Sequence, residues 1–108
     1  MANEPHKGRL VIHQQLGELD HIFRETMETL NTVAGMERVA KWRTKTIALL
    51  TDALGKQAGD AFARVQPGPS FTNDLVEEFT DFIETFRTPL TTLAKTLPAT
   101  DVPPSTGG

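Results

Sequence analysis

No cysteine occurs in the 108-residue chain, and tryptophan occurs once. Without cysteine, disulfides, thiolate metal ligands and cysteine nucleophiles are all excluded. There is no apolar run of the roughly 18 residues needed to enter a bilayer as a helix, so no membrane insertion is expected. The segment Met1 to Arg9, MANEPHKGR, lacks the apolar centre of a secretory signal, and the expected compartment is the cytoplasm. Basic residues are not in excess: 11 Lys and Arg stand against 14 Asp and Glu, giving a net charge of -3 and a pI near 5.5. Such a balance has no field to gather a polyanion, so nucleic acid is not an expected partner. Catalytic signatures are missing too. Gly55 to Gly59 has neither the preceding strand nor the lysine-threonine ending of a phosphate loop, and no serine is placed near a histidine in a way that suggests a triad. The chain is therefore expected to be non-enzymatic and to carry no cofactor.

What remains is helical periodicity. Ile12, Leu16, Leu19, Phe23, Met27, Leu30 and Val33 recur at spacings of three or four and predict a first helix over 9–34, with Gly35 in the left-handed conformation that ends it. Gly17 lies inside this helix, either tolerated or admitting a close neighbour. A second helix over 36–55 carries Val39, Trp42, Thr46, Leu49 and Ala53 on one stripe, widened by Ile47, Leu50 and Leu54, and Trp42 is expected to be buried. Glu37, Lys41, Lys45, Asp52 and Lys56 mark its solvent side, with acid-before-base pairs at Glu37–Lys41 and Asp52–Lys56. Asp60 caps a short helix over 60–65, ending before the Gln66-Pro67-Gly68-Pro69 breaker. Thr72 or Asn73 then caps a third long helix over 73–97, in which Leu75, Phe79, Phe82, Phe86, Leu90, Leu93 and Leu97 share a face flanked by Val76, Ile83 and Ala94. Pro89 predicts a kink or a break with restart. The expected fold is all-α, an up-down-up three-helix bundle over 9–97, with a short mobile arm at 1–8 and a flexible tail at 98–108 rich in Pro, Ser, Thr and Gly. Gly107 and Gly108 would suit a conjugation handle only on a β-grasp fold, whose alternating strand patterns are absent.

Few residues group into a candidate site. Glu18 and His21 are spaced i,i+3, as pairs that ligate one metal in helical bundles are, but a di-metal site needs a second pair, and His6 and His13 lie in no matching motif. A solvated face is the expected reading, with Glu18 and His21 the only metal candidates. Glu77, Glu78, Asp81 and Glu84 line the outer face of the third helix, where a hard cation or a basic partner could meet them. In an up-down-up bundle Lys7, Arg9 and His13 would lie beside them. Arg38, Lys41 and Lys45 form a small basic face on the second helix, expected to be answered by Glu37, Glu25 and Glu28. Among the phenylalanines, Phe71 in the breaker loop is the candidate exposed anchor, and Phe71, Val76, Ile83 and Ala94 are the candidate interaction residues.

Two stretches bear a resemblance to known families. Residues 17–30, GELDHIFRETMETL, resemble the first ligand helix of hemerythrin-like domains, but no later His-x-x-x-Glu follows. The order Gly-Met-Glu-Arg-Val-Ala-Lys-Trp42, then Leu49-Leu50, a glycine, and Phe62 ahead of a third helix, is similar to the helical N-terminal regions of many bacterial defence proteins. It extends over residues 36 to 97. In that family the region looks like an adaptor in front of a TIR-like or other effector domain, and no catalytic residue is implied here. The functional expectation is a protein–protein interaction or adaptor module, self-associating through a homo-oligomer or bound to a protein partner, as part of a bacterial defence or regulatory system. A metal-binding helical protein using Glu18 and His21 is the alternative.

Overall fold

In a computed structural model the described residues are 5–68 and 73–97. They are 88% helical, with no strand among them. Four helices follow in order: α1 (Pro5–Thr29), α2 (Thr32–Leu54), α3 (Lys56–Ala63) and α4 (Leu75–Thr96). The expected tail at 98–108 and the anchor Phe71 lie outside the described residues, as do residues 1–4 of the expected arm.

Helix ends show where local chemistry overrode the sequence expectation. Helix α1 stops at Thr29 rather than 34, because Leu30 itself takes the left-handed conformation (φ 58°) and Asn31 caps the next helix by accepting the Ala34 N–H at 3.1 Å. An asparagine N-cap satisfies a backbone donor that would otherwise be orphaned, worth about 1 kcal/mol, which offsets the cost of a non-glycine left-handed residue. Gly35 is therefore no terminator but an interior residue of α2. It is buried, and an added Cβ would lie 2.6 Å from Thr26 Oγ1, 2.7 Å from Thr26 Cγ2 and 2.9 Å from Phe79 Cζ, so its missing side chain is what lets α1, α2 and α4 converge. Residues 6–8 of the expected arm are helical, and Gly8 packs against the Leu54 side chain.

Helix α2 ends where expected, at Gly55, whose φ of 101° and ψ of 165° are open only to glycine. Helix α3 starts at once, earlier than predicted; Asp60 sits within it and pairs with Lys56 at 2.7 Å instead of capping. Arg43 closes its far end. The Arg43 guanidinium donates to the carbonyls of Ala63 (2.7 Å) and Val65 (2.9 Å) and lies 5.4 Å from the centre of the Phe86 ring. A cation at a helix C-terminus meets unpaired carbonyls and the negative end of the dipole. In α4 the cap is Asp74, not Thr72 or Asn73, accepting from Val76 N–H (2.9 Å) and Glu77 N–H (3.2 Å). The helix runs unbroken through Pro89.

The up-down-up arrangement is not what forms. Phe79, near the start of α4, stacks on Phe23 near the end of α1, with ring centroids 6.2 Å apart, while Arg9 at the start of α1 donates to the Ala94 carbonyl near the end of α4. Helix α4 is thus antiparallel to α1 and parallel to α2. Helix α3 turns back along α2, bringing Ala63 and Val65 to Arg43, and α4 begins near the α1–α2 turn. As a result Lys7 and Arg9 lie far from the acids of α4. Lys7 pairs with Asp52 of α2 at 2.9 Å, a cross-helix pair in place of the expected Asp52–Lys56.

The core is built on Ile12, Leu19, Val39, Trp42, Leu50, Phe62, Phe79, Ile83, Phe86 and Leu90. Trp42 is 3% exposed, makes edge contacts with Phe62 and Phe86, and donates its Nε1–H to the Gln15 carbonyl at 2.8 Å. The Gln15 side chain is buried as well, accepting from Thr46 Oγ1 at 2.8 Å, so the polar groups at this contact are satisfied. Of the expected face of α1, Ile12 and Leu19 are buried and Leu16, Phe23 and Met27 pack half-buried against the core, while the buried set extends beside it to Gly8, Val11, Gln15, Ile22 and Thr26. Leu30 and Val33 of the expected row are 62% and 70% exposed, and Leu75 of α4 is 61% exposed.

Candidate functional site

Between α1 and α2, on the side away from α4, runs an open groove of about 920 Å³. Its floor is Ile22 and the edge of Trp42; one wall is Gly17, Glu18 and His21 of α1, and the other is Arg38, Lys41 and Lys45 of α2. Each wall follows from helical spacing, since 17, 18 and 21 share one face of α1 as 38, 41 and 45 share one face of α2. Gly17 widens the groove. A Cβ placed there would meet nothing within 4 Å, so of the two readings of this glycine the close-approach one is ruled out: no helix packs on it.

The groove's charges are partly paired across the two helices. Lys45 reaches both carboxylate oxygens of Glu18 at 3.0 and 3.1 Å, and Arg38 meets Glu25 at 2.7 Å. His21 Nε2 lies 3.1 Å from the other Glu25 oxygen. The Arg38 hydrogen bond, helped by the charges around it, holds the Glu25 carboxyl below its ordinary value. Lys41 makes no ion pair among the described residues. Of the expected partners of the basic face, Glu25 is engaged, whereas Glu37 and Glu28 form no ion pair with it among the described residues.

The metal candidates Glu18 and His21 do share this groove, but each faces another side chain, Lys45 and Glu25 respectively. Among the described residues no group of three or more His, Asp or Glu side chains is placed to hold a metal ion. A second, smaller groove of about 400 Å³ lies between α3 and the second half of α4, with Ala61, Phe62, Val65, Pro89 and Leu93 among its apolar walls.

Among the described residues the predicted interaction residues Val76, Ile83 and Ala94 do not form one surface. Ile83 is a correction: it is fully buried, because the centre of the α4 core face passes through Phe79, Ile83, Phe86 and Leu90 rather than through Phe82. Val76 is 38% exposed beside Leu75, and Ala94 is half-buried near the opposite end of the helix. The outer face of α4 carries Glu77, Asp81 and Glu84, all exposed; Glu84 pairs with Arg87 at 3.1 Å, and Glu77 and Asp81 make no ion pair among the described residues. Sequence reasoning singled out both charged faces but not the groove. The interior glycine was the one signal that could have pointed to it. No described helix is long and apolar enough to cross a membrane. Comparison of the chain with protein-family models, curated proteins and solved structures finds no match.

Proposed function

We propose that this chain is a non-enzymatic helical interaction module that associates with further copies of itself through the groove between α1 and α2. The observation that carries the reading is the groove: two long helices flank a floor made by Ile22 and Trp42, and the fourth helix covers the opposite side, leaving room for one more. Helix-in-groove contacts are a recurrent recognition mode, and a small bundle with a thin core commonly completes it with a second copy. The adaptor role that the resemblance of residues 36 to 97 implies, and a cytoplasmic setting, belong to the same proposal.

Sedimentation velocity over a concentration series tests it. The expected result is reversible association in the micromolar range, lost in Gly17→Leu, whose side chain would fill the groove without touching the fold. A wild-type chain that stays monomeric at several hundred micromolar would overturn the proposal. The alternative, a metal held by Glu18 and His21, is favoured only by their sharing the groove; stoichiometric metal in untagged protein would reverse the order of the two.

A further inference from the structure

Resting on that reading, we infer that the acidic outer face of α4 of one copy docks in the α1–α2 groove of the next, so that association runs head to tail. The cations of the groove lie at 38, 41 and 45, with steps of three and four residues. The acids of α4 lie at 77, 81 and 84, with steps of four and three. Each set spans about 10 Å of helix. Laid antiparallel they fall into register: Arg38 meets Glu84, Lys41 meets Asp81 and Lys45 meets Glu77. The central pair joins two groups that have no ion pair within their own chain among the described residues. The outer cations keep Glu18 and Glu25 and are shared with the incoming acids, so the central pair carries most of the new attraction.

The two surfaces are turned well apart. On α1 the groove residues Gly17 and His21 lie roughly 105° around the helix from Arg9, Asp20 and Phe23, which meet α4. The acidic face of α4 points further out on that side, since Phe79 and Phe86 face inward. Surfaces turned this far apart do not engage each other reciprocally in a twofold dimer. A contact of this heterologous kind leaves one free groove and one free acidic face at the ends, and it propagates. Like charges introduced at the centre of the contact oppose docking while leaving the fold unchanged, because both positions are exposed.

The experiment uses Lys41→Glu and Asp81→Lys in sedimentation velocity, with circular dichroism to confirm unchanged helicity. Wild type is expected to form a series of oligomers that shrinks as salt is raised. Each single variant is expected to associate at least about tenfold more weakly. In an equimolar mixture the groove of Asp81→Lys takes the acidic face of Lys41→Glu through the native central pair and the reverse contact carries the reversed pair, so mixing should recover an alternating series. The double variant, with the central pair reversed, should recover the series. Wild-type association that neither substitution weakens would overturn the head-to-tail contact and leave self-association standing; a monomeric wild type would remove both. Variants that weaken association but show no recovery on mixing would also overturn the inference.

Discussion

Gly17 and Gly35 are both interior helical glycines, and replacing each with alanine should move stability in opposite directions. At Gly17 a new Cβ meets nothing within 4 Å, so Gly17→Ala only removes the conformational cost of glycine in a helix. That gain is about 0.5–1 kcal/mol, and in a domain of this size it should raise the melting temperature by roughly 2–6 °C. At Gly35 the same helical gain is present, but the Cβ would press on Thr26 Oγ1 and Cγ2 and on Phe79 Cζ at 2.6, 2.7 and 2.9 Å. Relief requires Thr26 to leave its 2.7 Å hydrogen bond to the Ile22 carbonyl or α4 to move outward. Overpacking of that kind costs about 1–3 kcal/mol, enough to exceed the helical gain. Gly35→Ala should therefore melt lower than wild type, and the two variants should differ by several degrees in thermal unfolding followed at 222 nm. Equal stabilisation of both would refute the convergence of three helices at Gly35, and destabilisation at Gly17 would refute the open groove.

Trp42→Ala should cost about 3–5 kcal/mol in chemical denaturation, and wild-type tryptophan emission should be blue-shifted; emission like that of free tryptophan would contradict its burial. Arg43→Ala releases the Ala63 and Val65 carbonyls, so amide exchange should rise over 56–65 with a loss of about 1–3 kcal/mol, while unchanged exchange there would show that α3 holds without the clamp. Glu25 and Asp60 both titrate below their ordinary values, Glu25 chiefly through the Arg38 hydrogen bond and Asp60 through that of Lys56. Depressed carboxyls stabilise the fold above the ordinary carboxylate range and lose that contribution as pH falls through it toward the lowered values. Arg38→Ala should thus raise the Glu25 midpoint seen by NMR, and an unmoved midpoint would place the cause elsewhere.

Local chemistry alone determined much of this chain. Glycine at position 55 stops α2 because only glycine adopts its backbone angles, and Trp42 is buried because it continues the stripe of Val39 and Thr46 along α2. The long helices follow from periodicity over many turns, which survives even Pro89. Periodicity did not show how far the buried set of α1 extends, however. It reaches Gly8, Gln15 and Thr26, residues that score as polar or small but fit because Leu54, Thr46, Trp42 and Gly35 meet them across the contact. The direction of α4 was equally beyond reach of the sequence. It depends on where α3 ends, and Arg43 of α2 and the ring of Phe62 set that by anchoring the end of α3 midway along the bundle. Only that placement puts Phe79 beside Phe23, turns the acids of α4 away from Lys7 and Arg9, and leaves the groove over Ile22 and Trp42 uncovered, because a helix can bury one face of a pair of neighbours and not both.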